Sequence, residues 1–242
     1  MVAQGGAAMA RKRSESFEQQ RSEILEKAAM LFAEAGFHAA SMASLAQACG
    51  VSKALLYHYY QDKEHILFDV ALSYVERLVA IVEESLGSEP PASPTQAGVV
   101  LERLIARFLE EYRHSQYRHI VLVQDVKHLP EPLREPVLEK QRQVVRAFAG
   151  VVAALEPELA ATALLKPVTM VLFGMINWTF TWLRPDGPLS YEAMAPIVTT
   201  MFVAGVHALA KREDLMQRFA MAPERLRGTD EAAVLALQGE RE

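Results

Sequence analysis

The sequence contains a single cysteine, Cys49. One thiol can form neither an intrachain disulfide nor a cysteine-based zinc site, and such usage fits a reducing cytoplasm. A basic excess is missing too: 25 Lys and Arg stand against 30 Asp and Glu, for a net charge of −5. The chain is therefore no polycation, and any nucleic-acid contact must come from a local patch. No apolar run of signal-peptide length precedes the charges of Met1–Arg13, so no secretory leader is expected. The longest uncharged run, Pro167–Leu183, approaches membrane-spanning length but carries Thr169, Asn177, Thr179 and Thr181. No membrane segment is expected from it. Alternating β-branched runs closed by Asn-Gly turns are absent. Ser-His-Asp, P-loop and dinucleotide glycine patterns are absent as well, which leaves no catalytic residue and no cofactor to assign.

What is present is helix. Hydrophobic residues make up 51% of the 242 and charged residues 23%, a composition that folds to a soluble core. Residues 1–15 are small, polar and basic, and are read as a flexible basic arm. A first helix is expected from Ser16, with Ser16 and Gln19 as a capping box. Ile24, Ala28, Leu31, Phe32 and Ala35 form its apolar face, and Gly36 its stop. Two short helices follow, about Met42–Cys49 capped by Ser41 and Lys53–Tyr59 capped by Ser52, joined at Gly50. A long helix, Lys63–Leu86, presents Ile66, Val70, Tyr74, Leu78 and Ile81. Beyond a linker at Pro90, Pro91 and Pro94, helices are expected over 95–114, 117–127, 131–155, 158–183 and 191–211. Ser93 with Gln96 and Ser190 are further caps. The expected organisation is an all-α chain: helix-turn-helix domain 16–62, ligand-binding and dimerisation domain 63–211, and a weakly patterned tail 212–242.

Residues 41–60 carry the function. Ala43, Leu45, Ala46 and Val51 are small or apolar, as a tight helix crossing requires, and Gly50 supplies the turn. Leu56 and Tyr60 are four apart and face inward with Leu45 and Val51. The opposite face offers Lys53, Ala54, Tyr57 and His58, which suits a helix laid in a major groove. Ser41, Ser52 and Lys63 lie at helix N-termini, where backbone N–H groups favour a phosphate. A hydroxyl at a cap is usually only a cap, and a tyrosine is usually core. Lys53 and His58 carry more weight, because no apolar partner explains them. Charge is the objection: residues 1–70 hold seven Lys and Arg against eight Asp and Glu.

Residues 17–67, above all Val51-Ser-Lys-Ala-Leu-Leu-Tyr-His-Tyr-Tyr60 followed by Asp62-Lys63-Glu64, resemble the DNA-binding domain of the tetracycline-repressor (TetR) family. Ser41 and Tyr60 stand where that family commonly has Thr and Phe. The resemblance implies a homodimer on a palindromic double-stranded operator. It implies DNA contact by Ser41, Ser52, Lys53, Ala54, Tyr57, His58 and Tyr59, with Lys63 on a phosphate and Arg11, Lys12 and Arg13 reaching a minor groove.

The helices 158–183 and 191–211 are apolar nearly all round and must be covered on every side. A second copy of the chain is the economical cover, with Gly174 and Gly205 permitting close approach, and the family dimerises through its last two long helices. The family also keeps a small-molecule effector pocket, for which Phe108, Tyr112, Phe173, Asn177, Trp178, Trp182 and Arg184 are the candidates. Trp178 and Trp182, four apart, are expected on one helix face, and packing alone would also explain them. The segment 173–190 resembles a signature of the branch that regulates fatty-acid, steroid and phenylacetate catabolism and senses acyl-CoA thioesters. A drug-type hydrophobic effector is the alternative. An acyl-CoA enzyme or a protein-binding adaptor are rivals from other classes. Of His114, His119, Asp125 and His128, the first two fall on different helix faces and only Asp125 and His128 stand three apart, so no metal site is expected. Cys49 reads as a small buried filler.

Overall fold

The computed structural model describes residues 3–87, 89–184 and 186–220, with side chains described from residue 16 onward. The side chains of Arg11, Lys12 and Arg13, and the tail beyond residue 220, lie outside the described residues. Those residues form eleven α-helices and two 3-10 turns. They are α1 (Ala3–Ala35), α2 (Met42–Ala48), α3 (Lys53–Tyr59), α4 (Lys63–Leu86), α5 (Pro94–His114), α6 (Gln116–Gln124), α7 (Glu131–Leu155), α8 (Pro157–Ala160), α9 (Leu165–Asn177), α10 (Tyr191–Ala210) and α11 (Glu213–Arg218). Two compact units divide the chain: Met1–Tyr74 with Tyr117–Glu135, and Val75–Gln116 with Pro136–Glu242.

Side-chain caps set five of the eleven helix starts among the described residues. Ser41 accepts from the N–H of Ser44 while Ser44 Oγ receives the N–H of Ser41, a reciprocal box. Ser52 accepts from Leu55, Ser93 from Gln96 and Ser190 from Ala193. Asp62 caps α4 by accepting from the N–H of His65 at 2.9 Å. Each such bond satisfies an orphan donor and contributes about 1 kcal/mol. Ser16 is no cap: α1 starts at Ala3 and runs through it, because no glycine or proline interrupts the chain from Ala7 to Ala35.

The first unit is organised around Phe32, Leu45, Leu56, Ile66 and Leu67, all essentially without exposure. The buried stripe of α1 is Ile24, Leu25, Ala28, Ala29 and Phe32. Leu31 is only half-buried and Ala35 is exposed, so the inward face lies slightly rotated from the one expected. Arg21 donates to Asp69 at 2.6 Å and ties α1 to α4. Arg118 of α6 reaches Glu26 of α1 at 3.0 Å.

In the second unit α5 packs chiefly on α10. Its buried face, from Ala97 through Leu104, Phe108 and Tyr112, meets Ala195, Val198, Phe202 and Val206 of α10. The long helix expected over 158–183 is broken twice. Thr162 Oγ1 donates to the Leu159 carbonyl and accepts from Leu164 N–H, while Ala163 N–H bonds Phe219. Those bonds replace a helical ladder with a turn. At the other end the hydroxyls of Thr179 and Thr181 turn back to the carbonyls of Ile176 and Trp178, 2.7 Å each. The chain tightens there into the 3-10 turn Thr179–Thr181. Trp178 and Trp182 are thus not on one α-helical face, and both are exposed.

The helix expected over 117–127 likewise ends at Gln124 and passes into a 3-10 turn, Val126–His128, ahead of Pro130. This turn packs on the loop after α1. The His128 ring stacks on Phe37 at 5.7 Å, and its Nδ1 lies 3.1 Å from His38 Nε2. Burial pushes the Asp125 carboxyl up to about 6, against the pull of Lys127 and His38. Such a group binds its proton more tightly folded than unfolded. Its ionisation therefore costs stability increasingly as pH rises from 3.8 to about 6, and fully above. Asp125→Asn is expected to stabilise the protein by about 1–3 kcal/mol near neutral pH, with the gain vanishing toward about pH 4. Denaturant melts at the two pH values check this; an equal effect at both would overturn it.

Candidate functional site

The helix-turn-helix closes through Gly50. Its φ of +67° lies in the left-handed region, and Val51 N–H returns to the Ala46 carbonyl at 3.0 Å. That turn sets α3 across α2, with Leu56 buried on the inner side and Tyr60 as the buried C-cap residue. Val51, expected in the same inner set, is half-buried.

The outer side of α3 presents Ser52, Lys53, Ala54, Tyr57 and His58, all exposed. Tyr57 is 48% exposed, far from what a core tyrosine shows. Lys53 Nζ stands 5.8 Å from the centre of its ring. Ser41 is exposed at the start of α2. Leu55, also exposed, belongs to this face but was not picked out, since a leucine inside an apolar triplet reads as core. Tyr59 is half-buried: its ring stacks on Phe17 of α1 at 4.5 Å with planes 22° apart. Phe17 was not foreseen, because no local pattern links it to a helix so distant in sequence.

Lys63 has a role that the sequence did not suggest. Its ammonium donates to the carbonyls of Phe37 and Ala40, 3.0 Å each, and lies 4.3 Å over the Phe37 ring. It staples the α1–α2 loop to the start of α4 and satisfies two carbonyls that no helix serves. Cys49 is half-buried with its thiol toward the Ile24 carbonyl, and burial pushes that thiol up. A raised thiol is poorly nucleophilic.

In the second unit, four of the seven ligand candidates come together. Phe108 meets Phe148 edge-on at 4.9 Å, Phe148 meets Phe173 at 4.9 Å, and Phe108 lies 5.9 Å from Tyr112. Tyr112 donates its hydroxyl to Asn177 Oδ1 at 2.7 Å, and burial drives its pKa up. Phe148 completes the cluster, though its position on α7 gave no sign of this. Trp178, Trp182 and Arg184 lie instead on exposed chain. Trp178 packs against Phe180 at 5.6 Å.

A separate open cavity of about 500 Å³ is lined by Arg77, Ile81, Ala106, Arg107, Glu110, Glu111, His114 and Glu192. Its charges compensate one another. Arg77 bonds Glu111 at 3.3 Å, Arg107 bonds Ser85 at 3.0 Å and pairs with Glu84, and Arg113 and His114 hold the Glu110 carboxyl at about 2. None of the seven ligand candidates lines it.

A capped two-helix motif turning at a left-handed glycine, with one polar and cationic face exposed, defines a helix-turn-helix DNA-binding protein. Residues 24–70 match the model for bacterial regulatory proteins of the tetR family, and residues 97–206 match the tetracyclin repressor-like C-terminal domain. A TetR-family transcriptional regulator from Bordetella parapertussis 12822 is 34% identical, with 75% of this chain covering 93% of that one and a TM-score of 0.70. The chain belongs to the TetR family of DNA-binding transcriptional regulators, and it is not an enzyme. Among curated proteins it is 24% identical over 196 residues to the transcriptional repressor KstR2 of Mycolicibacterium smegmatis (strain ATCC 700084 / mc(2)155), covering 77% of this chain and 90% of that one. The fold is shared with AibR, solved in complex with isovaleryl coenzyme A and operator DNA. That match has 22% identity, coverage of 75% and 97%, and a TM-score of 0.66.

A Cβ at Gly50 would meet nothing within 4 Å, so conformation rather than space selects glycine there. Gly50→Ala is expected to cost about 1–2 kcal/mol, and Gly50→Asn, which tolerates the left-handed region, less. Denaturant melts measure both; an asparagine variant less stable than the alanine one would refute the argument.

Proposed function

We propose that the chain is a repressor that occupies a palindromic operator as a homodimer and leaves it on binding an acyl-CoA or aromatic-acyl-CoA thioester. In this reading residues 16–62 read DNA and 63–211 bind effector and partner, and the protein works in the cytoplasm. Ser41, Ser52, Lys53, Ala54, Tyr57 and His58 contact the operator. Tyr59 contributes through its free edge, and Lys63 through the N–H left after its two carbonyl bonds.

The observation that carries the effector reading is the aromatic cluster Phe108, Phe148, Phe173 and Tyr112, closed at one edge by the Tyr112–Asn177 hydrogen bond. It offers apolar walls and a single polar latch, the make-up of a pocket for an acyl group. Entry of the acyl group breaks the latch, so the ligand favours a state different from this one. Only such a differential affinity can drive release. Trp178, Trp182 and Arg184 then meet the thioester's polar part. AibR's isovaleryl coenzyme A complex supports this class over a drug-type effector.

The dimer reading rests on exposed apolar stripes. On α9, Pro167, Val171, Gly174 and the adjoining Trp178 are exposed; on α10, Ile197, Met201, Ala204 and Ala208 are. Met201 is 63% exposed. By length and composition α10 is even apolar enough to cross a membrane. A second copy covers these stripes at a far smaller cost than leaving them in water.

The effector test uses a labelled duplex that the protein selects from a randomised pool. At least one CoA thioester is expected to weaken its binding about 10-fold or more, within the usual range of allosteric coupling, while CoA alone does not. Calorimetric binding of free drugs or dyes with none by any thioester would overturn the effector class. Met201→Asp is expected to yield a helical monomer that no longer holds the duplex. Sedimentation of the wild-type chain as a monomer would overturn the dimer.

A further inference from the structure

Helix α3 has only seven residues, so its last turn, which carries His58 and Tyr59, is held by few backbone bonds, the last from Tyr60 N–H to the Leu56 carbonyl at 2.9 Å. Tyr60 beyond it is already extended, with φ −138° and ψ 129°. Support for that turn comes from outside the motif. Phe17 lies flat against Tyr59, 4.5 Å between ring centres. The His58 ring meets Phe17 edge-on at 6.4 Å and 86°, and Tyr59 edge-on at 5.7 Å and 85°. Offset and edge-on contacts are the favourable aromatic geometries. Phe17 is itself 39% exposed, so it does not fill a core. It stands on the surface where α1 passes the end of the recognition helix.

We propose that Phe17 is a positioning residue for operator reading, which fixes the side chain of His58 through the ring block it forms with Tyr59. This rests on the assignment of His58 as a DNA contact. A histidine free to rotate must lose that freedom when it docks on a base edge or phosphate, and the loss weakens binding. A ring held edge-on by two neighbours has lost it beforehand. Phe17 also gives α1 a share in specificity while contributing no charge, and so no part of the salt-dependent attraction.

The test measures binding to the duplex that the wild-type chain selects from a randomised pool, and to a duplex of unrelated sequence. Phe17→Ala is expected to weaken the selected duplex roughly 3- to 10-fold, the factor an aromatic pair contributes. Binding to the unrelated duplex, and the slope of affinity against salt, should not change. Phe17→Tyr restores affinity, since it keeps the stack. The double variant Phe17→Ala with His58→Ala binds no more weakly than His58→Ala alone. Phe17→Leu keeps apolar packing without the ring and shows the same loss at a wild-type melting temperature, which separates positioning from folding. Wild-type affinity in Phe17→Ala beside a weakened His58→Ala overturns the inference alone, as does an additive double variant or an equal loss on both duplexes. Wild-type affinity in His58→Ala overturns the contact assignment and the inference with it.

Discussion

A helix of seven residues does not persist in water by itself, because nucleation is costly and the few bonds it gains cannot offset it. Yet α3, Lys53–Tyr59, is the element proposed to read DNA. Much of the first unit is accounted for by what holds it. Ser52 supplies its N-terminal acceptor, and Gly50 takes the left-handed turn that aims it. Leu56 and Tyr60 anchor its inner side among Phe32, Leu45 and Ile66. A fully buried leucine contributes about 2–3 kcal/mol toward offsetting that nucleation cost. The staple by Lys63 and the Arg21–Asp69 pair hold the surrounding helices in register.

The second unit meets the opposite problem. Its described residues leave apolar surface exposed. Its aromatic residues close into a cluster around Phe108 and Phe148, while α9 and α10 leave valine, isoleucine and methionine in water. The aromatic cluster is the proposed effector site, and the uncovered apolar stripe the proposed partner surface. The charged cavity beside Arg77 and Glu111 has neither character, because its arginines already pair with carboxylates.

Local rules located most of the architecture. Caps at Ser41, Ser52, Ser93 and Ser190, stops at Gly36 and Gly50, and the apolar face of α4 are all encoded within a few residues of where they act. The same locality explains the misses. Ser16 has the form of a cap but sits inside α1, since a cap matters only where a helix must begin. The run 158–183 is apolar enough for one helix, but hydroxyls of Thr162, Thr179 and Thr181 compete for backbone carbonyls and split it. With that split, the four-residue spacing of Trp178 and Trp182 no longer measures a helical turn.

The sequence by itself determined the all-helical class, the helix-turn-helix, the inner and outer faces of α3 and the family. Each of these follows from short-range periodicity and capping. Only the tertiary structure decided which distant side chains meet. It turned Lys63 toward the carbonyls of Phe37 and Ala40, and brought Phe148 between Phe108 and Phe173. It also laid Phe17 against Tyr59 at the end of α3. Such pairings depend on how helices cross, and helix crossing is set by the packing of whole faces rather than by any one residue's neighbours in the chain.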